Sequence, residues 1–521
     1  MAAGDLDYRT LLDLYRGRAT VVELIDDRVA AALRVDTPLL RFLAAAATRD
    51  EPRHIFLTGN AGDGKTFAAR TALPAGAPFV VIADGSEQGV DELAQILDGH
   101  LTAGRRLLVA INRGQLERLR GLELSVPLRE LLDQVAHQLL LRVEWEHSDE
   151  CPTALAIDLG LIDTLADQII DPILDKVAGA DPSAGELSAT SRCVFESALE
   201  ALRDETVRGR LKLTLRQLRS DGQHVTMRQL WSWAALLATG GRDPLDTTPL
   251  SLADTVGARA FAGPPVQPLP GLERLSIDPA LTPQPELALD ALAGRLDGKL
   301  AALPGLSTEL ISRGTLEGAL TLRVAWVHGL IDTETVSAHP YDQLIQNPAA
   351  LDGRFPQHFT RQFLQKIYEK LGLWSTGQQF PGWQRCCYDS WRIDEAAWAA
   401  NRDADPAALR LAFPGPHPAA LEALQHAWRP PYLQLSMEID GAERNKLRLR
   451  PQLVQALWAS TGEASELRET EQITLRRWLS RLTQAAPSAE THVRIYAPAF
   501  ERPLLFNDDL LMGKTAARWE G

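Results

Sequence analysis

The chain has 521 residues, 45% of them hydrophobic, and a formal net charge of −14. It is long for a single core and apolar enough to fill roughly three, while the acidic balance argues against tight, unaided binding to a polyanion. The opening residues lack a basic region followed by an apolar one, no apolar run reaches the ~18 residues of a membrane span, and Cys151, Cys193, Cys386 and Cys387 show no CxxC spacing, so a cytoplasmic protein with free thiols and no membrane association is expected.

Residues 1–50 carry leucine, valine and alanine at helical spacing and read as N-terminal helices. Residues 51–160 read as a nucleotide-binding α/β core. An apolar run at 55–58 breaks into Gly59, Asn60, Ala61, Gly62, Asp63, Gly64, Lys65 and Thr66, a complete GxxxxGK[ST] phosphate loop. The pattern has a physical reason. Its glycines let backbone N–H groups turn inward, and the helix opening after them favours an anion at its N-terminus. Lys65 would reach the β and γ phosphates of ATP, and the Thr66 hydroxyl would ligand Mg²⁺. Further apolar runs at 79–83, 107–111 and 154–157, separated by helical segments, predict a parallel sheet with helices on both faces.

Hydrolysis also needs a metal-positioning carboxylate and a group that orients the attacking water. In an ATPase of the AAA+ type that Asp ends the third strand, normally with a Glu after it. Here the corresponding strand ends in Asn112 and Arg113. Asn112 can hold a metal-bound water through its carbonyl oxygen, but Arg113 cannot act as a base. Two carboxylates could substitute: Asp84 on the metal side, with Glu87 close behind, and Asp158 where a polar residue that senses the γ-phosphate would stand. Each reads equally well as the cap of a following helix.

Residues 161–260 turn helical and read as a lid. Within it Thr226 is a fair N-cap for a helix through Trp231 and Trp233, and Arg228 in the first turn is either a reporter of the γ-phosphate or a surface arginine. Two basic stretches, Arg203–Arg219 and the group Arg444, Lys446, Arg448 and Arg450, could meet nucleic acid or an acidic partner, or be solvated helix faces. A proline-rich linker at 261–285 predicts a domain boundary, followed by a mainly α-helical C-terminal region at 286–521 with short strands near 493–497 and 504–506. Asp290, Asp297 and Lys299 sit in a helical pattern that does not suit a nuclease, and His147 with Cys151 lacks the further ligands of a zinc site.

Several separated pieces carry a resemblance. They are Leu33-Arg34-Val35-Asp36-Thr37-Pro38-Leu39-Leu40, the glycine-rich loop, Ala83-Asp84-Gly85-Ser86-Glu87, Ile111-Asn112-Arg113-Gly114, Ala156-Ile157-Asp158-Leu159-Gly160, Val225-Thr226-Met227-Arg228-Gln229-Leu230 and Ser276-Ile277-Asp278-Pro279-Ala280. In this order the chain resembles the DptF-like P-loop ATPases of phosphorothioation-dependent DNA restriction systems. The resemblance implies an AAA+-like, ATP- and Mg²⁺-dependent ATPase subunit of a bacterial DNA-restriction or anti-phage defence complex. Such a subunit works with other defence proteins, meets DNA through those partners, and leaves a homo-oligomer open. Arg113, where an acidic residue is expected, departs from the pattern and puts turnover in question. A second reading is therefore a nucleotide-gated scaffold or sensor, with weak or no hydrolysis, that recruits an effector. A small-molecule kinase is a third, disfavoured by the size of the lid and C-terminal regions.

Overall fold

Four short segments almost free of polar residues form one parallel sheet. The computed structural model describes residues 6–17, 27–145, 153–220, 222–263, 265–269, 271–272, 318–330, 340–345, 355–371, 385–393, 396–403, 409–424, 428–439, 442–459, 467–485, 492–496, 504–509 and 514–519. In chain order its first elements are α1 (Tyr8–Tyr15), α2 (Asp27–Leu33), α3 (Pro38–Ala46), β1 (His54–Thr58), α4 (Lys65–Thr71), β2 (Phe79–Ile82), α5 (Val90–Thr102), β3 (Arg106–Ala110), α6 (Arg113–Arg120), α7 (Val126–Gln138) and β4 (Ala154–Asp158). The strand order is β2-β3-β1-β4, with every pairing parallel.

Every residue of β1 and β4 is buried, which explains why these strands read as continuous apolar runs instead of alternating ones. Successive side chains of β1 serve opposite faces. Ile55 and Leu57 pack with Leu39, Leu43 and Ala68 of α3 and α4, while Phe56 packs with Leu97, Leu119 and Leu132 of α5, α6 and α7. The outer edge of β4 is closed by a side chain: Gln138 donates to the Ala154 carbonyl at 2.6 Å and accepts from the Ala156 N–H at 3.0 Å, standing in for a neighbouring strand. The α/β sheet covered on both faces is as the sequence predicts.

Helices α8 (Asp167–Ala178), α9 (Ala189–Arg203), α10 (Glu205–Ser220), α11 (Met227–Thr239) and α12 (Val256–Ala260) follow. Together with α1 and α2 they build a separate apolar cluster around Phe195, Leu211, Trp233 and Leu237. Helix α11 is its axis, buried at every position from Leu230 to Thr239. Thr226 and Gln229 close a capping box at its start.

The first basic stretch is engaged within the fold. Arg208, Lys212, Arg216 and Arg219 of α10 pair with Asp175, Asp171, Asp167 and Asp163 at 2.6, 3.1, 2.9 and 2.8 Å. Arg203 donates to the Ala178 carbonyl, and Arg210 lies over the Trp326 ring. Each exposed pair stabilises by no more than about 1 kcal/mol, so the ladder sets the alignment of α10 on its acidic neighbours more than it adds stability.

This compact unit does not end at the proline-rich stretch. It runs through Ser337, with a helix Gly318–Val327 packed against α12, and takes back the distant segment Pro416–Arg429. That segment's helix, Pro418–Leu424, packs on α3 and β4.

The second unit comprises Ala338–Gly415 and Pro430–Gly521. It holds β5 (Arg385–Ile393), β6 (Ala396–Asp403), β7 (Leu409–Ala412), β8 (Leu433–Ile439), β9 (Ala442–Leu449), β10 (His492–Tyr496), β11 (Leu504–Asp509) and β12 (Lys514–Trp519). These form two antiparallel sheets, β12-β11-β10-β6-β5 and β7-β8-β9. The expected strands near 493 and 504 are present, but the C-terminal region is a mixture of sheet and helix instead of mainly α-helical. Leu447 and Leu449 are buried while Lys446, Arg448 and Arg450 are exposed, the two-residue period of a half-buried strand.

His147, Cys151, residues 273–285 of the expected linker, the expected helix at 287–303 with Asp290, Asp297 and Lys299, and the piece Ser276–Ala280 lie outside the described residues. Among the described residues no helix is long and apolar enough to cross a membrane.

Candidate functional site

The C-terminal ends of the four strands supply the site. After β1 the chain turns through Gly59 at φ 138° and Gly62 and Gly64 at φ 92°, a backbone region that favours glycine. Space demands glycine as well: a Cβ on Gly59 would stand 2.8 Å from Asp63 Oδ2, and one on Gly62 would stand 3.1 Å from Thr226 Oγ1. Asp63 Oδ2 accepts the Asn60 N–H at 2.6 Å and closes the loop on itself. Lys65 opens α4, and its Nζ donates to the Gly59 and Asn60 carbonyls at 2.9 and 2.7 Å. Burial lowers the Lys65 pKa, Asp63, Asp84 and Asp158 oppose that shift, and Arg228 adds to it. Three carboxylates and one guanidinium thus act electrostatically on the same ammonium.

After β2, Asp84 Oδ1 accepts the Ser86 N–H at 2.8 Å. After β3, Asn112 caps α6 by accepting the Gln115 N–H at 2.8 Å, and its amide donates to Ser86 Oγ at 2.8 Å. Buried Gln115 donates to the Gly85 and Gln88 carbonyls at 2.7 and 3.0 Å, so the turn that carries Asp84 is tied to the start of α6. After β4, Asp158 Oδ1 accepts the Gly160 N–H at 3.0 Å, and Arg113 reaches its Oδ2.

One cavity of about 340 Å³ joins these groups. Its polar lining is Thr37, residues 61–66 of the loop, Asp84, Ser86, Asn112 and Arg228; its apolar lining includes Leu33, Val35, Leu39, Leu40, Ile162, Trp231 and Leu424. Asp84, Asn112 and Arg228, chosen from sequence, therefore share a cavity with the glycine-rich loop. Asp158 does not line it, and both its oxygens are hydrogen-bonded outside it. Gly59 and Asn60 contribute through the carbonyls that hold Lys65. Among the described residues no group of three or more His, Cys, Asp or Glu is placed to hold a metal. The Thr66 hydroxyl and the Asp84 carboxylate could hold a hard cation that keeps waters and ligand oxygens in its remaining positions.

Sequence reasoning missed His224, whose Nε2 lies 2.7 Å from Asp63 Oδ1. It also missed Ser86, Gln115 and the cavity-lining Ala423 and Leu424. Ser86 lies inside a motif already singled out, whereas the His224 contact spans 161 positions and leaves no periodic signal.

Comparison with family models, curated proteins and solved structures gives no significant match.

Proposed function

We propose that the chain is a cytoplasmic P-loop protein that binds ATP with Mg²⁺ in this cavity, as an AAA+-like ATPase subunit of a bacterial DNA-restriction or anti-phage defence complex. The observation that carries the nucleotide part is the position of the complete GxxxxGK[ST] loop: it follows a buried parallel strand, opens a helix, and shares one cavity with Asp84, Asn112 and Arg228. The defence assignment and the DNA-directed partners rest on the resemblance described above.

In this reading Lys65 leaves the Gly59 and Asn60 carbonyls for the β and γ phosphates, and the base enters the apolar lining near Val35, Leu40 and Trp231. Thr66 and Asp84 would hold Mg²⁺, which neutralises phosphate charge when bound. Asn112, fixed by Gln115 and Ser86, orients water, and Arg228 approaches the γ-phosphate from α11.

A specific observation favours the sensor reading of the same site. Among the described residues Asp63 and Asp84 are the acidic ones in the cavity lining, and Asp63 is hydrogen-bonded to His224, so none of them offers a second carboxylate ready as a water-orienting base. Steady-state ATPase assays with and without duplex DNA, beside equilibrium binding of ATP, separate the two. Binding with turnover supports the ATPase, binding without turnover supports the nucleotide-gated sensor, and no ATP binding overturns both.

A further inference from the structure

The glycine-rich loop contains one acidic residue, Asp63, and its side chain is 1% exposed. A buried carboxylate beside an anion site is unfavourable unless a cation or strong donors compensate it. Both oxygens of Asp63 are used. Oδ2 holds the Asn60 N–H inside the loop, and Oδ1 receives His224 from outside it. The Asp63 hydrogen bond raises the His224 pKa above the ordinary imidazole value, which favours the imidazolium opposite the carboxylate.

His224 precedes the Thr226 cap of α11 by two residues, and a second contact follows immediately: the Arg228 N–H donates to the Gly62 carbonyl at 3.1 Å. Neighbouring residues at the helix start thus grip neighbouring residues of the loop. The lid side of this grip is stiff, because α11 is buried from Leu230 onward and Trp231 lines the cavity. A rearrangement of Gly62 or Asp63 therefore meets a helix that moves as a unit.

We propose that the His224–Asp63 pair is the joint through which occupancy of the glycine-rich loop is passed to α11, with His224 a positioning residue that acts through Asp63. The proposal rests on the nucleotide reading above. A phosphate on the loop adds negative charge beside Asp63, strengthens the hold on the His224 imidazolium, and draws the start of α11 toward the loop. Arg228 contributes separately, through its own side chain.

The test measures amide hydrogen exchange across residues 224–233 in the full chain, with ATP and Mg²⁺ added, beside ATP affinity. The wild-type chain is expected to bind ATP and slow exchange there by about tenfold, within the ordinary range of coupling energies. His224→Gln should bind ATP within about threefold of wild type and lose most of that slowing, while His224→Lys, which keeps a cation opposite Asp63, should retain it. Asp63→Asn removes the charge from the loop side and, compared at saturating ATP whatever its effect on affinity, should also lose most of the slowing, which keeps the test alive if the first variant fails to fold. Undiminished slowing in His224→Gln or Asp63→Asn overturns the joint while leaving the nucleotide reading intact. Absence of ATP binding by the wild-type chain overturns both.

Discussion

Arg113 places a guanidinium nitrogen 2.5 Å from the Asp158 carboxylate, spanning β1, which stands between β3 and β4 in the sheet. The position where an acid was expected carries a cation, and that cation neutralises an acid on the other flank of the glycine-rich loop. Asp158 is 10% exposed and Arg113 52%, so the pair sits at the boundary of the core. Arg113→Ala should cost about 1–2 kcal/mol of unfolding free energy, since it leaves a nearly buried carboxylate without its cation. It should also weaken ATP binding, because the freed carboxylate competes with phosphate for Lys65. Urea unfolding and ATP titration read the two effects, and a variant identical to wild type in both would show the pair to be incidental.

Lys65→Ala should abolish nucleotide binding and leave the fold in place. The ammonium bonds the Gly59 and Asn60 carbonyls of its own loop, and the apolar clusters among the described residues do not include it. Circular dichroism checks the fold and calorimetric titration checks the binding; retained ATP affinity would sink the phosphate-loop reading.

Asp84→Asn and Asp158→Asn should part company. If the chain turns ATP over, loss of the cavity-lining Asp84 carboxylate should lower kcat by about 10²-fold or more, in the range for a preorganised electrostatic group. Asp158→Asn should act mainly on stability, through Arg113. Equal losses of turnover in both variants would contradict the separate roles.

The histidines give the fold opposite acid and alkaline limbs. Burial lowers the pKa of His54 and of His328 to about 4, so below the ordinary value of 6.5 the unfolded chain takes up protons that the native state refuses, and stability falls as pH drops toward 4. His224 runs the other way: its raised pKa supplies stability that is complete below the unfolded value of 6.5 and is lost as pH rises through the folded value. Urea midpoints at about pH 5, 7 and 9 should peak near neutrality, and His224→Gln should flatten the alkaline limb while leaving the acid limb unchanged. An alkaline limb that survives the substitution would remove His224 as its source.

The sheet was legible because β1, β3 and β4 are buried on both faces and their sequences are correspondingly apolar. The helix after Thr226 was legible for a local reason, a capping box within four residues. The ladder on α10 left a trace that was passed over: Asp163, Asp167, Asp171 and Asp175 recur at the same spacing of four as Arg208, Lys212 and Arg216. Strand β9 was read as a basic stretch, although Leu447 and Leu449 alternate with its cations. The His224–Asp63 contact had no counterpart in sequence, since nothing in either neighbourhood reports the other.

The Pro416–Arg429 segment has a consequence for how the chain is made. Ala420, Ala423 and Leu424 complete the apolar cluster on one face of the sheet, and Arg429 fastens the segment by donating to the Leu161 and Arg219 carbonyls at 3.2 and 2.6 Å. A ribosome must therefore deliver nearly a hundred residues beyond Ser337, by the order of chain growth, before the first unit can close its own core. Until then one face of α3 and β4 waits for its cover, and a message cut anywhere between residues 338 and 415 would yield a first unit whose cavity lacks part of its wall.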